Sequence, residues 1–252
     1  MPPDKGDHRT ILGIDFFLGT AIQAVNRIRA GGLLVVPAAP ALKDLGTNAP
    51  YREALLNADL AIADSAFMVM VWNWLEHDSI KRLSGLVYIR ELLAQPDVRQ
   101  SGRCVWIMAS RSSADKNLAW LKEQGILVPN ECVYLAPIYG HQEIEDSALI
   151  ALIETIRPKH VIVTVGGGTQ ERLGLYLKRN LTYLPAIHCI GAAIAFLSGD
   201  QVRIPMWADR LYLGWLYRSV SEPKRYAPRY WEARKLLAML LRYREKLPVS
   251  NE

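Results

Sequence analysis

The sequence has few cysteines, and they lie far apart. Cys104, Cys132 and Cys189 form no C-x-x-C pair, and the five histidines do not cluster with them. A zinc site or a disulfide framework is therefore not expected. An odd number of thiols on or beside apolar strands is typical of reduced, buried cysteines in the cytoplasm.

Long apolar runs are also missing. The most apolar stretch, DLAIADSAFMVMVW, is interrupted by Asp64 and is shorter than the roughly 18 residues of a membrane span. The first residues, MPPDKGDHRT, lack the apolar core of a secretory signal. Half of the residues are nevertheless apolar, and no low-complexity tract or repeat is visible. We expect a cytoplasmic protein with one large domain, alone or with a small appendage.

The net charge of +5 is unevenly distributed. Residues 203–246 contain eleven Lys or Arg and four acidic residues, together with eight of the eighteen Trp and Tyr. Basic residues interleaved with aromatics favour contact with lipid headgroups or with a polyanion. The alternative is a solvated helical face whose aromatics turn into the core. Nucleic acid is the less favoured partner, because the prolines and tryptophans of this segment suit docking onto a membrane or onto the core.

Short aliphatic runs alternate with helical patterns along most of the chain. The strand candidates are 33–36, 59–63, 104–108, 132–135, 160–165 and 186–190, and the helical stretches lie near 20–30, 51–57, 66–76, 87–94, 113–124, 143–156 and 170–180. This alternation predicts an α/β fold, a doubly wound and mostly parallel sheet with helices on both faces. After residue 200 only helical patterns remain, at 207–220 and 229–246. We therefore expect a Rossmann-like domain over 1–200 and a basic helical appendage over 201–252.

Ligands of such sheets bind beyond the carboxyl ends of the strands, so the residues there carry the chemistry. Gly166, Gly167 and Gly168 follow the strand 160–165, and Thr169, Gln170 and Glu171 then open a helix. The dinucleotide and triphosphate motifs are both absent. What remains is a helix N-terminus able to bind an anion, or simply a tight turn. The last strand is followed by Gly191, Ala192 and Ala193.

Asp64 follows another apolar strand. A carboxylate with so many apolar neighbours is partly desolvated and suits a general base, although Asp is also a common helix N-cap. Arg82 precedes a glycine turn in KRLSG, and Arg203 precedes a proline in DQVRIPMW. Arginine suits phosphate binding, but a single arginine is usually a surface residue.

The order of these segments is more specific than any one of them. LLNADLAIADSAFMV, KRLSG, VTVGGGTQE, CIGAAIAFLSGDQVRIPMW and LGWLYRSVSEPKRYAPRYW occur in succession. This series resembles the WecG/TagA/CpsF family of bacterial glycosyltransferases from about residue 10 to 232. The most specific matches are Arg203-Ile204-Pro205, Trp215-Leu216-Tyr217-Arg218, Glu222-Pro223-Lys224-Arg225 and Arg229-Tyr230.

The resemblance implies an inverting, metal-independent transferase without a cofactor. It would move N-acetylmannosamine or a related hexose from UDP to a polyprenyl diphosphate-linked acceptor in cell-surface polysaccharide synthesis. Asp64 then corresponds to the proposed general base, with Arg82 and Gln170 as further catalytic residues. The donor-binding residues would be Gly166, Gly167, Gly168, Gln170, Glu171, Gly191, Ala192 and Ala193. Arg203, Arg218, Arg225 and Arg229 would bind the diphosphate and the acceptor.

The chain departs from the family pattern at several polar positions. Pro37-Ala38-Ala39 replaces Thr-x-Asn after the first strand, and Ala195 replaces an aspartate. Gly168-Thr169 stands for Pro-Lys before Gln-Glu, and Gly214 for an acid. These losses indicate a changed donor, a relaxed site or lost catalysis. The alternative function is a non-catalytic relative that binds nucleotide-sugar or lipid-linked glycan within an assembly complex.

The expected location is the cytoplasm, with peripheral attachment to the anionic inner face of the membrane. A homo-oligomer is one option for the quaternary structure of the protein.

Overall fold

The computed structural model describes residues 7–140, 142–201, 217, 220, 221, 224, 231, 232 and 234–249. The strands are β1 His8–Ile11, β2 Ile14–Phe17, β3 Gly32–Val35, β4 Leu60–Ile62, β5 Cys104–Met108, β6 Val133–Leu135, β7 His160–Val163 and β8 Ala186–Cys189. They form one sheet in the order β1-β2-β4-β3-β8-β7-β5-β6. Every pair is parallel except the β1–β2 hairpin. The prediction of a mostly parallel sheet is confirmed, and all six predicted strands are present.

Helices cover both faces of the sheet, as predicted. Those in the described residues are α1 Ala21–Ile28, α2 Ala39–Leu42, α3 Ala49–Leu56, α4 Ala66–Glu76, α5 Gly85–Leu93, α6 Arg111–Glu123, α7 Ser147–Ile156, α8 Thr169–Asn180, α9 Ala193–Ser198 and α10 Arg234–Tyr243. One apolar core lies between the sheet and α2, α3, α4, α7, α8 and α10. The other lies under α1, α5, α6 and α9. Strands β3, β4, β5, β7 and β8 are buried along their whole length, because both of their faces are covered.

Short polar side chains fix where several helices begin. Thr20, Ser65, Ser84 and Ser110 each accept a hydrogen bond from the backbone N–H three residues further on. Each satisfies a donor that has no partner inside its helix. Ser65 and Ser110 follow β4 and β5 closely, so α4 and α6 both start at the carboxyl edge of the sheet.

The chain changes face between α4 and α5. The inner residues of α4, including Met68 and Trp72, lie in one core, whereas Tyr88 and Leu92 of α5 lie in the other. The connecting residues 77–84 therefore pass the carboxyl edge of β4, where Leu83 N donates to Ala63 O at 3.2 Å. This crossing carries Arg82 to the end of β4.

Helix α10 joins the body of the sheet domain. Leu236 and Leu240 are completely buried in the core that also holds the inner face of α4. Arg244 donates to the carbonyl of Leu75 at 3.3 Å, near the end of α4. The predicted helical stretch 229–246 thus contains α10. The stretch predicted at 207–220 lies outside the described residues, apart from single positions.

The β1–β2 hairpin was not predicted by the sequence pattern. Its turn, Leu12–Gly13, has left-handed backbone at both residues, with φ of 53° and 75°. The backbone N–H groups of these two residues donate to the carbonyls of Arg244 and Glu245, at 2.7 and 2.8 Å. The residues after α10 therefore stabilise the hairpin turn. The same hydrogen bonds satisfy two carbonyl groups just past the end of α10 that have no partner inside the helix.

Candidate active site

Four neighbouring strands, β4, β3, β8 and β7, end at one edge of the sheet. The segments that follow them are Asp64, Pro37–Ala39, Gly191–Ala193 and Gly166–Gln170. Because the strands are parallel, these segments lie side by side along that edge. The strand order thus brings together predicted donor-site segments that are distant in the sequence.

Asp64 and Arg82 form an ion pair at this edge. Asp64 Oδ1 accepts hydrogen bonds from Arg82 Nη2 at 2.9 Å and from the backbone N–H of Gly85 at 3.0 Å. Arg82 Nε also donates to the backbone carbonyl of Asp64. Both side chains are largely buried, at 22% exposure for Asp64 and 12% for Arg82. Within the described part of the chain, Asp64 Oδ2 makes no hydrogen bond, so one carboxylate oxygen stays available.

Two local details differ from the sequence interpretation. The N-cap of α4 is Ser65, whose hydroxyl accepts from Met68 N at 3.1 Å, and not Asp64. Gly85 is the first residue of α5 and not part of a turn. Asp64 therefore binds the N-terminus of α5, at the far end of the segment that connects α4 with α5. The backbone N–H groups of this first turn of α5 have no partner inside the helix.

Gly85 connects Asp64 with the neighbouring strand ends. A Cβ added there would lie 3.2 Å from Val36 Cγ1 and 3.7 Å from Ala193 Cβ. The contact with Val36 is tighter than a Cβ normally makes, so glycine favours this close approach of the N-terminus of α5 to the ends of β3 and β8. Asp64, Gly85 and Ala193 are consequently contiguous.

The glycine segment after β7 leads directly into α8. Gly168 is the N-cap of α8, with φ of 88°, a conformation that favours glycine. A Cβ added at Gly166 or Gly168 would meet no atom within 4 Å among the described residues, and one at Gly167 would lie 3.7 Å from Ala41 Cβ. The N-terminus of α8 thus faces open space, which is the arrangement that an anion requires.

Gln170 and Glu171 are buried behind this N-terminus. Glu171 accepts hydrogen bonds from Gly168 N at 2.6 Å and from Gln170 Nε2 at 3.0 Å. Burial raises the pKa of Glu171 to about 7, and these two hydrogen bonds act in the opposite direction. Among the described residues, Gln170 Oε1 is buried without a hydrogen-bond partner, and a Cβ on Gly191 would lie 3.3 Å from it. The Gln170 amide is therefore oriented by Glu171 and lies against Gly191.

The positions that depart from the family pattern lie at this same edge. Pro37 and Ala39 are buried after β3, and Ala195 is buried on α9. This part of the edge is therefore apolar. The predicted diphosphate ligands, Arg203, Arg218, Arg225 and Arg229, lie outside the described residues.

A buried chain of polar side chains supports α5, and nothing in the sequence pattern indicated it. Tyr88 OH lies 2.8 Å from His188 Nδ1, and His188 Nε2 lies 3.1 Å from His160 Nδ1. His160 Nε2 is 3.5 Å from Asp97 Oδ2 at the amino edge of the sheet. Burial lowers the pKa of both His188 and His160. The two imidazoles bridge β7 and β8 and reach the first turn of α5, which begins at Gly85.

A concavity lies away from the candidate active site. It has a volume of about 620 Å³ and is lined by residues 137–140 and 142–145, after β6. Strands β3, β8, β7 and β5 separate β6 from β4 in the sheet. None of the predicted site residues lines it. In the described ranges no three His, Cys, Asp or Glu side chains group as a metal site, and no helix is long and apolar enough to cross a bilayer.

Comparison with known proteins gives a consistent result. The model of the glycosyl transferase WecG/TagA/CpsF family matches residues 9–250. The chain is 23% identical over 223 residues to the N-acetylglucosaminyldiphosphoundecaprenol N-acetyl-beta-D-mannosaminyltransferase of Staphylococcus aureus strain MRSA252, covering 85% of each chain. The proteins of the same name from strains MW2 and NCTC 8325 / PS 47 match to the same extent.

Proposed function

The chain belongs to the WecG/TagA/CpsF family of glycosyltransferases, and on this basis we propose that it is a UDP-sugar-dependent hexosyltransferase. The donor is UDP-N-acetylmannosamine or a related UDP-hexose. The acceptor is a sugar linked to a polyprenyl diphosphate, in the synthesis of a cell-surface polysaccharide. Transfer inverts the anomeric centre and requires neither a metal ion nor a cofactor.

The observation that carries this proposal is the geometry of Asp64. Its Oδ1 is held by Arg82 and by Gly85 N, while Oδ2 has no hydrogen bond in the described residues. Oδ2 then accepts the proton of the acceptor hydroxyl as that oxygen attacks the anomeric carbon. Arg82 keeps the carboxylate in one orientation, and the N-terminus of α5 adds a second fixed hydrogen bond.

The donor occupies the open space before α8. Its diphosphate lies at the N-terminus of this helix, where backbone N–H groups favour negative charge. Gln170 Oε1, which is buried and has no partner in the described part of the chain, accepts a hydrogen bond from the donor near Gly191. Arg203, Arg218, Arg225 and Arg229 neutralise the diphosphates of the donor and the acceptor, which stabilises the departing UDP.

The acceptor brings the enzyme to the membrane. The relatives from Staphylococcus aureus are named for an undecaprenol-linked acceptor. Residues 203–246 supply the net positive charge that an anionic surface attracts. The protein therefore works at the inner face of the cytoplasmic membrane as a peripheral enzyme.

A second candidate function follows from the apolar part of the edge. Pro37, Ala39 and Ala195 occupy positions at which the family carries polar residues, and two of the three are buried alanines. If these polar groups are needed for turnover, the chain binds a nucleotide-sugar or lipid-linked glycan without transferring it. The retained Asp64, Arg82 and Gln170 favour the enzyme.

One assay separates the two functions. The protein is incubated with a panel of UDP-hexoses and a lipid-linked N-acetylglucosamine acceptor, with and without a chelator. UDP release and product mass are measured. Thermal stabilisation by each nucleotide is recorded in parallel, since a ligand at a hundred times its dissociation constant adds about 2.7 kcal/mol.

Three results are informative. Chelator-insensitive transfer of one sugar, with inversion seen by NMR of the product, supports the enzyme. Thermal stabilisation without turnover supports the binding protein. No turnover and no stabilisation by any UDP-sugar contradicts both functions.

A further inference from the structure

Helix α4 has an apolar face that no other part of the described chain covers completely. Met70 and Trp74 are 53% and 70% exposed, and Phe67 and Val71 are half-buried beside them. Their spacing of three and four residues places all four on one side of the helix. We call these four residues the α4 stripe. Met68 and Trp72 point into the core, and Phe67 and Val71 pack against the edge of that core. The outward part of the stripe is therefore Met70 and Trp74.

The α4 stripe begins next to the candidate base. Phe67 comes three residues after Asp64, within the first turn of α4. From there to Trp74 the stripe extends about 10 Å along the helix, at 1.5 Å per residue. A surface that contacts the stripe therefore lies beside Asp64, whose carboxylate faces the acceptor in the proposed reaction.

A basic helix, α10, packs against α4. Residues 234–249 carry five cations and one acid. The cations Arg234, Lys235, Arg242, Arg244 and Lys246 are all exposed. Arg244 contacts the last turn of α4, through the carbonyl of Leu75 and the carboxylate of Glu76. Arg244 pairs with Glu76 there, and Lys235 pairs with Glu232. An apolar stripe with Trp and Met on one helix, packed against a basic helix, has the composition of an interfacial membrane surface.

From these observations we propose that the α4 stripe enters the boundary between headgroups and acyl chains of an anionic lipid bilayer. The cations of α10 bind the headgroups alongside, and Asp64 is presented to the sugar of an acceptor anchored in the same bilayer. This inference rests on the proposed lipid-linked acceptor. A second copy of the chain suits the stripe less well, because one convex helix face is far smaller than the roughly 800 Å² per partner of a stable interface.

The test uses two double variants of the full chain. Met70→Ser/Trp74→Ser removes the exposed part of the stripe. Leu127→Ser/Ile138→Ser is the matched control, since these residues are 62% and 102% exposed but lie before and after β6, at the other end of the sheet. Binding to phosphatidylcholine vesicles that contain phosphatidylglycerol is measured by co-sedimentation. We expect the stripe variant to bind at least tenfold more weakly, and the control to bind like the wild type.

A conservative variant keeps the test independent of folding. With brominated lipids, wild-type tryptophan fluorescence should be quenched on vesicle binding, and Trp74→Phe should lose a large part of that quenching while it still binds. Wild-type vesicle binding by the stripe variant, or unchanged quenching in Trp74→Phe, overturns the inference. So does a stripe variant that dissociates from dimer to monomer in analytical ultracentrifugation while it keeps its vesicle affinity.

Transfer assays separate this inference from the proposed function. The stripe variant should lose activity towards an acceptor embedded in vesicles and keep it towards a short-chain, water-soluble acceptor. Equal activity of variant and wild type on both acceptors overturns the inference. If the wild type transfers sugar to neither acceptor, the proposed function fails, and the vesicle-binding arm alone decides whether the α4 stripe meets the bilayer.

Discussion

Asp64 uses its two carboxylate oxygens differently, and one substitution separates their roles. Asn at this position keeps an oxygen that accepts from Gly85 N, but it cannot take up the proton of the acceptor. We expect Asp64→Asn to lower turnover by about 10²–10⁴ with donor affinity nearly unchanged. Steady-state kinetics and titration with UDP measure the two effects.

The control for this prediction is a comparison of the stabilities of two Asp64 variants. Thermal unfolding of Asp64→Asn should resemble that of the wild type more closely than unfolding of Asp64→Ala, which also loses the hydrogen bond to α5. Near-normal turnover in Asp64→Asn would assign the residue to structure alone.

Two glycines of the segment after β7 have the same open surroundings and different backbones. Gly168 has φ of 88°, whereas Gly166 is not among the positive-φ residues. Alanine at 168 must adopt a left-handed conformation, which costs roughly 1–2 kcal/mol. We expect Gly168→Ala to lower the free energy of unfolding by that amount, and Gly166→Ala to change it by no more than about 0.5 kcal/mol. Denaturant titration of both variants compares them, and equal losses would contradict this account.

At the scale of elements, α10 offers a matched pair of leucines. Leu240 is completely buried against the core of α4, whereas its neighbour Leu241 is 47% exposed. Leu240→Ala should destabilise the protein by about 2–5 kcal/mol, because it leaves a cavity. Leu241→Ala should cost less than about 1 kcal/mol. Similar losses in urea unfolding would mean that α10 does not belong to the core.

The buried His160–His188 pair makes stability depend on pH. The folded-state pKa of His188 lies well below its ordinary value of 6.5, so the unfolded chain binds a proton that the folded chain excludes. The stability contribution of His188 is present above pH 6.5 and is lost as the pH falls below it. Glu171 acts oppositely. Its pKa is raised to about 7 in the folded protein, so its protonation increases the free energy of unfolding as the pH falls through the same range.

The measurement therefore compares two slopes. Between pH 7.5 and 5.5, wild type should lose about 1.4 kcal/mol more unfolding free energy than His188→Asn. Urea unfolding at the two pH values gives this difference. Parallel losses in the two proteins would show that His188 is protonated in the folded state.

The sequence predicted most of these elements, but not all of them. The strands that became β3 to β8 are aliphatic runs with helical patterns between them, which is a strong local signal. The β1–β2 hairpin has no such signal, because its turn depends on the carbonyls of Arg244 and Glu245. Helices α2 and α9 span only four and six residues, too few for a period to show.

The same distinction holds within the site. Asp64, Arg82 and Gln170 could be chosen from motif order, since each belongs to a segment that resembles the family. The contact of Gly85 with Val36 and Ala193 depends on which strands are neighbours. The His160–His188–Tyr88 chain likewise depends on β7 lying beside β8. Strand order is a property of the folded sheet, and no local pattern encodes it.

Over the whole sequence, the positive charge is concentrated in residues 203–246, which include α10. Each Lys or Arg close to an anionic surface contributes about 1 kcal/mol, and salt weakens that attraction. We expect the protein to bind anionic vesicles at low salt and to be released at high salt. Arg242→Glu/Lys246→Glu should weaken binding by tenfold or more.

The control reverses the same number of charges elsewhere. Arg111→Glu/Lys122→Glu changes two exposed residues of α6, on the opposite face of the sheet from α10. In co-sedimentation, this variant should bind anionic vesicles only slightly more weakly than the wild type, by the amount that its lower net charge explains. Equal weakening by the two variants would mean that total charge, and not its position, governs attachment.

The packing of α10 against α4 has a consequence for biosynthesis. Leu75 and Arg244, which meet in the folded protein, are 169 residues apart, and translation at 5–20 residues per second needs about ten to thirty seconds to cover that distance. During this interval the inner residues of α4 lack the leucines that cover them, while the stripe on its other side is apolar as well. Until α10 emerges, the nascent chain therefore displays a helix that is apolar nearly all round, which makes α4 prone to aggregation during synthesis.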